Sequence, residues 1–142
     1  MKNDTRQALR LLDSWGYTCV VCKDGTIFTA SQRGVRPLLD WLDSGTDLHD
    51  FCAADKVVGR ATAFLYTLLG VTEVYAHVMS RPAAEVLTAH GISAHAETYV
   101  DGIINRTGTG PCPFEAAVLI TEDPAEALAA IRSKMRQMTG GN

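Results

Sequence analysis

The chain has 142 residues, a formal net charge of −3 and 46% hydrophobic residues. This length suits one domain with its own core, and the acidic balance disfavours a surface that binds nucleic acid. No apolar run approaches the ~20 residues of a membrane span, and the first residues lack the apolar region of a signal peptide. We therefore expect a cytoplasmic protein without membrane contact, folded as a single domain over residues 1–139, with a frayed end at 140–142.

The first third of the chain predicts a helix, a β-hairpin and a second helix. Apolar residues from Ala8 to Trp15 recur at helical spacing, and Gly16 ends that helix. Asp24-Gly25 is a strong two-residue turn pattern between alternating apolar residues, and a proline at 37 suits the first turn of a short helix. The predicted hairpin strands run over residues 17–22 and 26–30.

The middle of the chain predicts a long helix and then a βαβ unit. Residues 51–69 fit a helix stopped by Gly70, and Gly91 closes a helix that starts at Pro82. The strands around that second helix are predicted over residues 72–79 and 93–100. Because a right-handed crossover makes two such strands parallel, we expect a three-layer α/β fold with a mixed sheet, hairpin at one side and helices on both faces.

The stretch from Asn105 to Glu115 is the candidate functional segment. Glycines alternate with threonines in it, and prolines flank Cys112 just before a predicted helix. Cys112 is expected at the N-cap with Pro113 as the first helical residue, and Glu115 takes the place of a capping-box glutamate. Since unpaired amide groups and the positive helix end lower the pKa of a thiol, the sequence predicts a reactive cysteine there.

Several short motifs fall in one order along the chain. They are Ala54-Asp55-Lys56-Val57-Val58-Gly59-Arg60-Ala61, Val74-Tyr75-Ala76, Ser80-Arg81-Pro82-Ala83, Ile104-Asn105-Arg106 and Cys112-Pro113-Phe114-Glu115. Together they resemble the family of domain of unknown function 1893 over nearly the whole chain. The resemblance implies a cytidine-deaminase-like fold whose biochemical activity is not established.

Zinc deaminases carry His-x-Glu at the start of one helix and Pro-Cys-x-x-Cys at the start of the next. On the alignment that we expect, these starts read Asp55-Lys56-Val57 and Pro82-Ala83-Ala84-Glu85-Val86, which contain no zinc-binding cysteine or histidine. We therefore expect no metal and no cofactor.

Two other patterns invite a metal interpretation. His95-Ala96-Glu97 and the Pro-Cys-Pro segment mimic the zinc motifs, but only thirteen residues separate Glu97 from Pro111 and His95 falls in a predicted strand. Cys19 and Cys22 lie three apart in a predicted strand, where their side chains point to opposite faces. We interpret both, together with Cys52, as buried small hydrophobic residues.

Asp55 and Lys56 are interpreted either as a solvated pair in the first turn of a helix or as site residues. If the fold is as predicted, they lie near Ser80 and Arg81, where open α/β sheets bind ligands at helix N-termini. The remaining candidates for ligand binding are Asn105, Arg106, Thr107 and Gly108.

Two functions stay open at this point. The first is an enzyme or group carrier in which Cys112 is the nucleophile, Glu115 moves a proton, and Asp55, Lys56 and the arginines position a small anionic, nucleotide-like molecule. The second is a non-catalytic ligand-binding or regulatory domain, and a zinc-dependent nucleobase deaminase is a third, weaker alternative. A homodimer formed through the helices that flank the sheet is expected.

Overall fold

The computed structural model describes residues 1–105 and 107–139. Arg106 and the segment 140–142 that we predicted to be frayed lie outside the described residues. The elements are α1 (Asn3–Trp15), β1 (Cys19–Lys23), β2 (Thr26–Ala30), α2 (Arg36–Ser44), β3 (Cys52–Val58), α3 (Arg60–Leu69), β4 (Glu73–Ser80), α4 (Arg81–Ala89), β5 (Ser93–Val100), α5 (Pro113–Ala117) and α6 (Pro124–Met138). None of the helices in this described part has the length and apolar character to cross a membrane.

The five strands form one mixed sheet in the order β2-β1-β3-β4-β5. β1 pairs antiparallel with both β2 and β3, whereas β3, β4 and β5 run parallel to one another. The predicted βαβ unit is therefore confirmed as β4, α4 and β5. The mixed three-layer α/β architecture, with the hairpin at one side of the sheet, is confirmed as well.

The hairpin turn is made by Asp24 and Gly25, as the sequence predicted. Their φ angles are 48° and 86°, so both central residues adopt the left-handed conformation that a two-residue turn requires. An aspartate tolerates this conformation and a glycine adopts it at no steric cost, which explains why this dipeptide fixes the register of β1 and β2.

The predicted helix over residues 51–69 is wrong in its first half. Residues 52–58 form β3, and the helix α3 begins only at Arg60, after Gly59 in extended conformation. β3 lies between β1 and β4, and helices pack on both faces of the sheet, so its first residues are buried without alternation. A fully buried strand of small apolar residues cannot be told from a buried helix by periodicity.

The sheet separates two hydrophobic clusters. On one face α1 packs through Ala8 and Leu12 against Val20, Cys22 and Ala54. The other face carries the larger cluster, to which α2, α3, α4 and α6 contribute Leu38, Leu39, Phe64, Leu65, Val86, Leu87, Ala127 and Ile131. Cys19 belongs to this larger cluster and Cys22 to the smaller one, which confirms that the two thiols lie on opposite faces.

The carboxyl ends of the parallel strands lead directly into the segments that carry the candidate residues. β3 is followed by α3, β4 by α4, and β5 by the glycine-rich loop that ends at α5. Open parallel sheets bind ligands at this edge, where strand order and helix starts leave a crevice.

Candidate functional site

The glycine-rich loop is organised by Asn105. Its backbone N–H donates to the Gly110 carbonyl oxygen at 2.8 Å, and its side-chain Oδ1 accepts from the Thr109 N–H at 3.0 Å and from the Thr107 hydroxyl at 3.1 Å. Gly108 takes the left-handed conformation in the turn, with φ of 72°. The predicted ligand-binding side chains Asn105 and Thr107 are thus engaged with the loop itself.

Cys112 is the N-cap of α5, as predicted. Its backbone N–H donates to the Ile103 carbonyl oxygen at 2.9 Å, and its carbonyl oxygen accepts from the Ala116 N–H at 3.1 Å. Its side chain makes no capping hydrogen bond and is half-buried, whereas Cys19, Cys22 and Cys52 are buried. All four cysteines of the chain are among the described residues, so Cys112 is the one thiol with access from solvent.

Glu115 caps a different helix from the one we expected. Its Oε1 accepts from the Arg60 N–H at 2.7 Å and its Oε2 from the Ala61 N–H at 2.8 Å, both at the start of α3. A carboxylate that accepts two amide hydrogen bonds at a helix start is stabilised by the bonds and by the helix dipole. The prediction that Glu115 caps its own helix is therefore replaced by a contact that joins α5 to α3.

Gly59 makes this contact possible. A Cβ atom at this position would lie 2.6 Å from Glu115 Oε1 and 2.7 Å from the carboxyl carbon. Any other residue would therefore displace the carboxylate from the amide groups of α3. The requirement here is close approach, since the backbone of Gly59 is extended and open to all residues.

Arg60 was not among the predicted residues, yet it holds the segment after α5. Its guanidinium donates to the carbonyl oxygens of Val118 and Thr121 and pairs with the Glu122 carboxylate at 2.6 Å. The same guanidinium lies 5.0 Å from the centroid of the Phe64 ring. A Gly-Arg pair after a buried strand is the sequence pattern that marks this position, but it does not identify the partners.

Asp55 lies in strand β3 rather than at a helix start, which corrects the prediction. It is buried, and its Oδ2 accepts from the Tyr66 hydroxyl at 2.6 Å. Cys19 is its cross-strand partner in β1, and the Cys19 Sγ lies 3.0 Å from the same hydroxyl. We call Cys19, Asp55 and Tyr66 the buried network.

Burial determines the titration of the buried network. It raises the pKa of Asp55 to about 6, although the hydrogen bond from Tyr66 favours the charged form. Burial also raises the pKa of both Cys19 and Tyr66, and the nearby Asp55 carboxylate adds to each shift. At neutral pH the thiol and the phenol are therefore protonated, so Cys19 is not a thiolate nucleophile.

The other predicted residues have separate surroundings. Lys56 is exposed on β3. Ser80 is fully buried as the N-cap of α4, where its Oγ accepts from the Ala83 N–H at 3.1 Å. Arg81 forms an exposed ion pair with Asp101. Within residues 1–105 and 107–139, no hydrogen bond or ion pair joins Asp55, Ser80 or Arg81 to Cys112.

Of the two helix starts in which we sought zinc motifs, Asp55-Lys56-Val57 lies in β3, whereas Pro82 lies in the first turn of α4, as predicted. The two helices that follow the hairpin and the next strand are α2 and α3, which begin at Arg36 and Arg60. Neither start carries a histidine or cysteine, and His95 lies inside β5. In the described part of the chain, no three His, Cys, Asp or Glu side chains lie close enough together to hold a metal ion.

The fold and the site define a three-layer α/β protein in which a short helix bearing a half-buried cysteine is tied to the start of a central helix. The family model for the domain of unknown function DUF1893 matches residues 7–135. The chain belongs to the DUF1893 family.

A solved relative has the same architecture. The crystal structure of a DUF1893 family protein from Thermotoga maritima matches with a TM-score of 0.86 and 26% sequence identity, over 94% of this chain and 91% of that one. A search of curated proteins gave no match.

Proposed function

We propose that this protein binds a small anionic, nucleotide-like ligand beside α5 and that Cys112 is its nucleophile or covalent carrier. The observation that carries this proposal is the accessibility of Cys112, the one thiol of four that is not buried in the core. A thiol acts as a nucleophile only where a ligand can reach it, and the other three lie in the sheet with raised pKa values.

The start of α3 is not free to bind an anionic ligand. Two amide groups there already hold the Glu115 carboxylate, three residues after Cys112. Amides at a helix start favour negative charge, and Glu115 already supplies it, so the positive charge for an anionic ligand would come from the exposed side chains Lys56 and Arg81. Glu115 therefore acts as a structural acceptor in this proposal and moves no proton.

The resemblance to the cytidine-deaminase-like fold is supported by the antiparallel β1 next to three parallel strands. Because the starts of α2 and α3 lack histidine and cysteine, the proposal routes no step through zinc. In this proposal the ligand binds at the carboxyl ends of the parallel strands, and the chemistry differs from that of zinc deaminases. One fold commonly serves several functions in this way.

The covalent step would be an acyl transfer. The Cys112 sulfur forms a bond to the carbonyl carbon of an activated acyl ligand, the leaving group departs with its electron pair, and the thiol proton goes to the leaving group through water. The products are a thioester on Cys112 and the protonated leaving group.

A non-catalytic binding domain is the second candidate, and a specific observation favours it. Glu115 binds two backbone amides of α3 and Asp55 accepts from the buried Tyr66 hydroxyl, so two of the predicted catalytic side chains already serve the fold. In this case Cys112 would only line the binding surface.

Alkylation by iodoacetamide tests whether Cys112 is reactive and lies beside the bound ligand. Residue-resolved mass spectrometry on native protein would follow Cys112 and Cys19 over a range of pH, with nucleoside monophosphates as competitors and Cys112→Ser as the control. The proposal expects Cys112 to react at least about a hundredfold faster than Cys19, because reaction at a buried thiol requires local opening. It also expects a nucleotide to slow the reaction.

Two results would overturn parts of the proposal. Equal rates at both thiols would remove Cys112 as a nucleophile. A nucleotide that binds the Cys112→Ser variant with unchanged affinity, while no acyl donor labels the wild type, would support the non-catalytic domain.

A further inference from the structure

The outer edge of β5 has the properties of a pairing surface. β5 is the last strand of the sheet, and no other strand in the described part of the chain pairs with its outer side. It has eight residues, which is long for an edge strand. It also lacks the proline, lysine or bulge by which edge strands are protected, since its register with β4 is continuous from Ser93 to Val100.

The backbone groups that point away from the sheet can be assigned. The Ser93 N–H donates to the Thr72 carbonyl oxygen at 3.1 Å, so Ser93 faces β4. Because backbone groups alternate along a strand, His95, Glu97 and Tyr99 also face β4. Ala94, Ala96 and Thr98 therefore present their N–H and carbonyl groups on the outer edge.

We propose that this edge pairs antiparallel with the same edge of a second copy of the chain, which joins two five-stranded sheets into one sheet across a two-fold axis. Antiparallel pairing requires that outward-facing residues lie opposite each other. Two registers meet this requirement and still pair most residues of one β5 with residues of the other. One places Ala96 opposite Ala96 of the second copy, and the other places Glu97 opposite Glu97.

Charge selects the first register. Glu97 opposite Glu97 would bring two carboxylates together in the closely spaced type of pair, where Cα atoms are about 4.5 Å apart. The register centred on Ala96 instead places His95 opposite Glu97 in two symmetric pairs. Both side chains are partly exposed, at 43% and 67%, so they are available for contact across the axis.

The groups around these pairs fit the same arrangement. His95 already lies 3.3 Å from Glu73, and Glu97 lies 3.2 Å from His77 within one chain. The imidazole of His95 would thus lie between Glu73 of its own chain and Glu97 of the second copy. The His95-Ala96-Glu97 sequence, which mimics a zinc motif, would then lie in the interface between the two copies. The occupant of the edge is a second copy because the complementary charges come from the strand itself.

Amide hydrogen exchange tests this proposal on the unaltered protein. In the paired state the outward amides of Ala94, Ala96 and Thr98 exchange at least about a hundredfold more slowly than exposed loop amides, and dilution removes this protection. The inward amides of His95 and Glu97 are the internal control, because β4 protects them in either state. Fast exchange at the three outward amides beside slow exchange at the two inward amides would overturn the proposal.

Disulfide trapping tests the register. In a Cys112→Ser background, the Ala96→Cys variant forms a cross-linked dimer, since directly opposed Cα atoms about 5.5 Å apart suit a disulfide. Glu97→Cys is the matched control and cross-links only in the rejected register. If Glu97→Cys alone cross-links, or neither does, the proposed pairing is wrong.

Proline variants complete the test by sedimentation velocity. Ala96→Pro and Thr98→Pro each remove one outward N–H and keep the inward hydrogen bonds to β4, as prolines do at strand edges. A monomer is expected for both, with the circular dichroism of the wild type. Thr98 is exposed, so its variant preserves the core if Ala96→Pro fails to fold. A dimer that persists in the folded Thr98→Pro variant would overturn the proposal.

Discussion

Two thiol and carboxylate combinations contact α3, one through Tyr66 and the other at the first amide groups of the helix, and they differ in exposure and in bonding. Cys19 and Asp55 are buried below the helix and share one tyrosine hydroxyl. Cys112 is half-buried on the short helix beside it, and Glu115 binds backbone amides. A cysteine and an acidic residue therefore form a buried titratable pair in the sheet. Beside α5 the same combination provides an accessible thiol and a carboxylate that caps a helix. Exposure, more than residue type, decides which of them can react.

The largest effect that separates these regions is the pH dependence of Asp55. Its pKa is raised from its ordinary value to about 6 in the folded chain, so the native state retains a proton that the unfolded state loses. The contribution of Asp55 to stability is therefore fully present below about pH 4 and is lost as the pH rises through 6, by about 3 kcal/mol in total.

Asp55→Asn removes this dependence because the amide does not titrate. Relative to the variant, the wild type should lose stability between pH 4 and 7 when both are unfolded in urea. Parallel stability curves for the two proteins would show that Asp55 titrates normally in the folded state. Glu115→Gln is the control, because it changes the carboxylate at the start of α3 and leaves Asp55 in place.

Tyr66→Phe should destabilise the protein by about 2 kcal/mol at pH 7.5, because it removes a hydrogen bond to a buried carboxylate. At pH 5, where Asp55 is protonated, the loss should be smaller. Urea unfolding at the two pH values measures both. A loss that does not change with pH would mean that the hydroxyl contributes through packing and not through the charge of Asp55.

Gly59→Ala should cost about 1–2 kcal/mol, because the new methyl group displaces the Glu115 carboxylate and uncaps α3. In a Glu115→Ala background the same change should cost much less, since the carboxylate is already gone. A double-mutant cycle from thermal unfolding gives this coupling. Additive losses would contradict the close contact.

Ser80→Ala should cost about 1 kcal/mol as the loss of one N-cap at α4. Ser80→Thr keeps a hydroxyl and is the matched control. Because Ser80 is fully buried, nucleotide affinity in the alanine variant should fall no further than the change in folded fraction explains.

Arg81→Ala should change stability least, by about 0–0.5 kcal/mol, because its ion pair with Asp101 is exposed at 61% and 96%. Asp101→Asn should do the same. A clear loss of ligand affinity in Arg81→Ala with unchanged unfolding would assign the arginine to binding. A large loss of stability would instead contradict its surface placement.

Local sequence patterns predicted the elements that have clear ends. The turn at Asp24-Gly25, the strand from Ser93 to Val100 and the N-cap at Cys112 came out as predicted, because turn and cap chemistry acts between near neighbours. β3 was missed because small buried residues carry no period, and this error moved Asp55 from a strand to a helix start.

Contacts across long separations could not be read from the sequence. The bond between Tyr66 and Asp55 depends on the strand β3, and the capping of α3 by Glu115 depends on how α5 packs against the start of α3. Arg60 was missed for the same reason, since its partners lie about sixty residues further along. The position of Cys112 could be predicted, but its surroundings could not.

The cap of α3 has a consequence for synthesis. Arg60 leaves the ribosome 55 residues before Glu115, which corresponds to roughly 3–11 seconds at ordinary elongation rates. Until Glu115 has been made, the first amide groups of α3 lack the carboxylate that caps them. The start of α3 is therefore capped only after β4, α4 and β5 have been synthesised.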